Sequence, residues 1–147
     1  MRILAVDPGE KRLGLAISDP TRTIANPLAV IDHVSRVVDA AQIASLAAEL
    51  RASLIIVGAT SDEDGQLTAQ GRSASRLAAA IRAQTALQVE LWDEIGSTQA
   101  ARQASIMMGV SKHKRQRQSH GHLDAMAATY ILQTYLDALA TPSGDAS

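Results

Sequence analysis

A mixed α/β fold is predicted by three features of the sequence. The chain opens with short apolar strands joined by tight turns. A later run, Leu54-Ile55-Ile56-Val57, is continuously apolar, as in a strand buried on both faces of a parallel sheet, and Ala-rich stretches with helical spacing separate the later strands. Residues 2–6 form the first strand, which Asp7-Pro8-Gly9 stops and turns. Leu13–Ser18 resumes extended chain until Asp19-Pro20, and a third strand covers about 23–31, where Pro27 suits a sheet edge. Short connections make these three an antiparallel meander. A helix follows over 35–51, with Ser35 as N-cap and Val38, Ala41, Ala44 (or Ile43), Ala47 and Leu50 on one face. Strand four is 54–57, ended by Gly58. An exposed acidic turn, Asp62-Glu63-Asp64-Gly65, leads to a helix over about 68–84. Strand five is 89–92. Helices are expected near 97–108, with Ser97 and Thr98 as its N-cap pair, and over about 123–139. The expected organisation is one domain over 1–140 and a frayed tail at 141–147.

Composition narrows the function. The 147 residues carry 14 Lys plus Arg against 15 Asp plus Glu, a formal charge of -1, and 46% are hydrophobic, which opposes disorder. The absence of cysteine excludes disulfides, thiolate metal sites and a cysteine nucleophile. With 2% aromatics, the chain lacks the stacking platforms of many single-strand binders. No apolar run reaches the roughly 20 residues needed to cross a bilayer, and no leader is recognisable, so the expectation is a cytoplasmic protein with no membrane partner.

Carboxylates fall where chemistry is expected, at the carboxyl ends of the strands. Asp7 ends the first strand, Asp93 and Glu94 end the fifth, and Asp124 starts the last helix. Each alone is unremarkable: Asp before Pro-Gly is commonly a turn residue, and an early helical Asp suits the dipole. Together, without Cys or a paired His, they form an oxygen donor set for Mg²⁺ or Mn²⁺. Such a set serves phosphodiester hydrolysis by two metal ions roughly 3.5–4 Å apart. Lys112, Lys114, Arg115 and Arg117 lie just before Asp124, with no acid between Glu94 and Asp124, and the rest of the chain sums to -5. A basic run beside a carboxylate site points to phosphate-backbone contact. Lys11 and Arg12, just past the first turn, are placed to assist. His120 and His122 are auxiliary proton-transfer candidates, although loop histidines within a basic patch is the simpler reading.

These residues resemble the YqgF/RuvX family. The likeness runs through the opening Leu4–Pro20 with its Asp7-Pro8-Gly9, Lys11-Arg12-Leu13-Gly14 and Ser18-Asp19. It continues through Ile55–Gly58, Asp64-Gly65, Trp92-Asp93-Glu94, Asp124–Ala128 and Ile131-Leu132-Gln133, nearly the whole chain in order. The resemblance implies a ribonuclease H-like fold with a mixed five-stranded sheet flanked by helices, related to Holliday-junction resolvases. It also implies a nuclease acting in 5′-end maturation of precursor 16S rRNA, with Asp7, Glu94 and Asp124 as catalytic metal ligands and Asp93 as the substitute for Glu94. The chain departs from the family pattern at Ala59-Thr60, where Leu-Pro is usual, and at Ile95, where an Arg is usual. Losing that guanidinium removes a bidentate phosphate grip, so altered substrate preference is expected.

The implied partners are precursor rRNA, ribosomal particles or branched DNA, with the chain a monomer or a homodimer. A junction resolvase requires a dimer with paired sites. The Asp-x-Gly opening also occurs in the sugar-kinase, actin and chaperone ATPase superfamily, but those enzymes close two such domains on ATP. A non-catalytic RNA-binding assembly factor is the remaining alternative; it predicts that Asp7→Asn and added metal change nothing.

Overall fold

The computed structural model describes residues 1–93 and 120–140, residues 120–124 by their backbone. The expected helix at 97–108, the basic run at 112–117 and the tail lie outside them. In chain order the elements are β1 (Arg2–Pro8), β2 (Arg12–Ser18), β3 (Ala25–Asp32), α1 (Arg36–Glu49), β4 (Ala52–Ala59), α2 (Ala69–Arg82), β5 (Gln88–Asp93) and α3 (His120–Ala140). Their sheet has the order β3-β2-β1-β4-β5. The meander is antiparallel, and β1, β4 and β5 pair in parallel. Pro27 sits in edge strand β3 beside a register shift at Leu15/Ala16, which accommodates its missing N–H.

Alternation along each strand divides the core into two halves. Leu4, Val6, Leu13, Leu15, Ile55 and Val57 pack with Ile43 and Ala47 of α1 and with Leu77 and Ile81 of α2. Ile3, Ala5, Ala16 and Ile56 pack on the other side beneath Ala128, Ile131, Leu132 and Leu136 of α3. The sheet is thus covered on both faces, as the unbroken apolar run of β4 requires.

Ser35 caps α1 by accepting the Val38 N–H, as expected. The buried face of α1 differs from the expected one. Asp39, Ala40, Ile43 and Ala47 are buried, whereas Val38 and Ala41 are exposed. Alanine contributes little to the choice of face, and the connection before α1 draws Asp39 inward. The acidic turn is exposed and ordered by Asp62, whose Oδ1 accepts the N–H groups of Asp64 and Gln66 at 2.9 Å; Gly65 supplies the left-handed residue at φ 81°.

Candidate active site

Asp7 is the penultimate residue of β1 and half-buried. It follows Ile3 and Ala5 by alternation, so it belongs to the face covered by α3. Its antiparallel neighbour is Gly14. On the parallel side Val6 pairs with Val57, and the residue after Val57 is Gly58. Two glycines, neither with a Cβ, therefore bracket Asp7 in the sheet. The Gly58 position is taken up by α3: a Cβ there would lie 2.6 Å from Cδ1 of Ile131.

Contacts along α3 fix its direction. Tyr135 donates its hydroxyl to Glu90 at 3.4 Å, Thr134 accepts the Trp92 indole N–H at 2.9 Å, and Ile131 covers Gly58. Earlier residues of the helix meet later residues of the strands, so α3 runs against β4 and β5 and its N-terminus lies at their carboxyl edge. Position 124 is one turn before buried Ala128 on the same stripe, about 10 Å along the axis from Ile131. The backbone therefore carries Asp7 and the turn containing Asp124 to one edge of one face. His120 and His122 share that first part of the helix.

Asp93 takes the opposite face. It follows Val89 and Leu91 of the α1/α2 side, and its carboxylate accepts the Ser61 hydroxyl. Glu94, Lys112, Lys114, Arg115 and Arg117 lie outside the described residues. Among the described residues no group of three His, Asp or Glu is arranged to hold a metal ion. Lys11 is exposed at the β1–β2 hairpin, and Arg12 opens β2 on the Asp7 face, in alternation with Gly14 and Ala16.

One residue of this region had no signal in the sequence. Gln70, in the first turn of α2, donates from Nε2 to the carbonyls of Pro8 at 3.5 Å and Gly58 at 3.4 Å, joining the ends of β1 and β4. Its Oε1 accepts the Thr60 N–H and hydroxyl, both at 2.9 Å. Thr60 thus has a defined role where the resemblance expects Pro, which has no N–H to give. Ser18 accepts the Ile3 N–H at 2.8 Å, and Asp19 gathers the N–H groups of Thr23 and Ile24. The Ile24 bond foremost, then the Thr21 hydroxyl and the Thr23 N–H, hold the Asp19 carboxyl down at about 2. The Ser-Asp pair is therefore a turn-forming device. Trp92 meets Tyr135 edge-on at 5.0 Å, and burial, then Glu90, raises the Tyr135 hydroxyl above its ordinary value.

Thr134→Val is expected to cost about 1–2 kcal/mol, because it leaves the half-buried Trp92 N–H without its acceptor. Thermal unfolding followed by the emission of the sole Trp reads this directly.

Five strands in this order, with a crossing helix on the far face, define a ribonuclease H-like α/β fold. The same architecture occurs in the fowlpox virus Holliday junction resolvase, at TM-score 0.54 and 17% identity over 95% of this chain and 99% of that one. The fowlpox resolvase in complex with Holliday junction DNA aligns at 0.57 and 16% identity, with the same coverage. The family profile described as "RuvX: Holliday junction resolvase" matches residues 1–138. The chain belongs to the RuvX family. A Clostridium beijerinckii relative is 34% identical over 137 residues, covering 93% of this chain and 96% of its own length. One from Clostridioides difficile is 32% identical over 136 residues, covering 92% and 94%. Both carry the name "Putative pre-16S rRNA nuclease".

Proposed function

We propose that this chain is a divalent-metal-dependent nuclease that cuts RNA in the 5′-end maturation of precursor 16S rRNA, a cytoplasmic step on ribosomal particles. The observation that carries this reading is the convergence of Asp7 and the first turns of α3 at the carboxyl edge of one sheet face, in a chain of the RuvX family. A half-buried carboxylate between glycines, joined by further carboxylates, is an oxygen donor set that fits Mg²⁺ or Mn²⁺. Asp7, Glu94 and Asp124 would hold the ions. Glu94 is favoured over Asp93, because Asp93 is tied to Ser61 on the face opposite Asp7. When bound, such ions activate water and neutralise charge developing at phosphorus.

The chain's own residues do the rest. Arg12 on the Asp7 face and Lys11 at the hairpin tip grip the phosphate backbone from one side. Lys112, Lys114, Arg115 and Arg117 would add phosphate-backbone contacts, without reading sequence. His120 and His122 would be the auxiliary groups for moving protons.

The fold shared with a junction-bound resolvase favours a second reading, structure-selective cutting of four-way DNA junctions by a homodimer. Labelled single-stranded precursor RNA and a four-way junction, each incubated with EDTA, Mg²⁺ or Mn²⁺, decide between them. The expected result is metal-dependent cleavage of RNA, abolished by EDTA. Preferential junction cleavage transfers the conclusion to the second reading. Equal RNA binding by wild type and Asp7→Asn, with no cleavage under any condition, overturns both in favour of a binding factor.

A further inference from the structure

On the sheet face opposite Asp7, a cleft of about 230 Å³ opens behind the β1–β2 hairpin, lined by Pro8, Gly9, Leu13, His33, Arg36 and Asp39 among others. Asp39, in the first turn of α1, is 1% exposed. A carboxylate so buried requires hydrogen-bond partners, and both of its oxygens have them. Oδ1 accepts the Val34 N–H at 3.0 Å, and Oδ2 pairs with Nδ1 of His33. The His33 side chain is itself 42% exposed. Its backbone N–H donates to the Lys11 carbonyl at 2.9 Å, while inside the hairpin the Gly9 N–H donates to the Arg12 carbonyl at 3.0 Å. Arg12 pairs in the sheet with Asp32, the residue before His33. A chain of contacts therefore runs from the buried carboxylate through residues 33 and 34 to the tip that carries Lys11 and Arg12.

We propose that the Asp39–His33 pair is the positioning device of this cationic tip and sets how firmly Lys11 and Arg12 hold a nucleic-acid strand beside Asp7. The inference rests on the nucleic-acid reading above but not on cleavage. The pair touches neither the strand nor the reacting atoms; it ties the β3–α1 connection, whose His33 N–H holds the Lys11 carbonyl, to the buried first turn of α1. Asp39 serves two donors with two oxygens. An Asn at 39 has one oxygen, so it can keep the Val34 bond only by turning its NH₂ group to His33. That forces His33 into the Nε2–H tautomer or breaks the contact.

The test uses the full chain in EDTA, so that binding is measured without cutting, on labelled single-stranded RNA and a four-way junction. Asp39→Asn and the gentler His33→Gln are each expected to weaken binding about three- to tenfold, as is Lys11→Ala. Combined with Lys11→Ala, either should add less than its separate effect, because both act through one contact. Hydrogen exchange at the His33 amide should accelerate in both variants, while Ile55 and Val57 in β4 keep wild-type protection. Nitrogen chemical shifts should show the His33 tautomer change in Asp39→Asn. Unchanged affinity in His33→Gln, fully additive losses, or acceleration spread equally through β4 would overturn the proposal, the last marking a merely structural Asp39. Wild type that binds RNA but never cuts it would overturn the nuclease reading and leave this one standing. Wild type that binds neither probe overturns this one.

Discussion

Asp7→Asn is expected to leave the fold intact and lower cleavage by about three orders of magnitude, on the order of 4 kcal/mol of transition-state stabilisation. The substitution is isosteric at a half-buried strand end beside Gly14, so β1 keeps its register. What changes is one full negative charge and one oxygen donor at the edge that α3 also reaches. A divalent ion bound only by the native protein raises its melting temperature, so the Mg²⁺-dependent rise seen in wild type should disappear in the variant. The informative comparison is Asp93→Asn. Asp93 bonds Ser61 on the α1/α2 side, so its variant should retain cleavage within a few-fold, whereas Glu94→Gln should behave like Asp7→Asn. Single-turnover rates for the three variants, with thermal melts for each, check the assignment. Loss in Asp93→Asn with full activity in Glu94→Gln would reverse the roles of the two adjacent acids.

Gly71→Ala has the second large effect, and its sign is the test. Helix propensity alone predicts a gain of about 1 kcal/mol for Ala over Gly inside α2. The structure opposes this: a Cβ at 71 would lie 2.3 Å from the Thr60 carbonyl oxygen and 3.0 Å from Leu67 Cδ2. The obstacle is backbone, and it cannot rotate away. That carbonyl already accepts the Thr68 N–H at 3.0 Å and the Thr68 hydroxyl at 3.1 Å, while Thr68 caps α2 by accepting the Gly71 N–H. Relief of the clash must shift α2 away from the end of β4 and loosen Gln70 from Pro8 and Gly58. A net loss of about 1–3 kcal/mol is expected, as for other overpacked sites, measurable by urea unfolding. Because Gln70 joins the ends of β1 and β4, cleavage should fall further than the lost stability explains.

Much of this was legible beforehand, for identifiable reasons. Each described strand and helix falls within a few residues of its expected place, because period-two and period-3.6 patterning and the Pro, Gly and Ser signals are local. The N-cap at Ser35, the edge position of Pro27 and the exposed turn at Asp62–Gly65 rest on the same local chemistry. The buried face of α1 did not follow, because a helix rich in Ala offers little contrast between faces. Asp39 carried no sequence signal of its own, because the partners that claim both its oxygens, His33 and Val34, are known only from the structure.

The sequence by itself determined the α/β class, the order and kind of the described elements, and the candidate acids at strand and helix ends. Those properties depend on residues a few positions apart. Only the tertiary structure decided that Asp7 shares a face with α3 while Asp93 turns away to Ser61, and that α3 runs against β4 and β5. It alone revealed that Gln70 ties two strand ends and that buried Asp39 meets His33, whose N–H bonds the Lys11 carbonyl. Each of these depends on partners from different elements, such as Trp92 with Thr134 or Gln70 with Pro8. Such pairs meet because the apolar faces of a twisted sheet and its helices must be buried together. No local pattern encodes which polar groups that burial brings into contact.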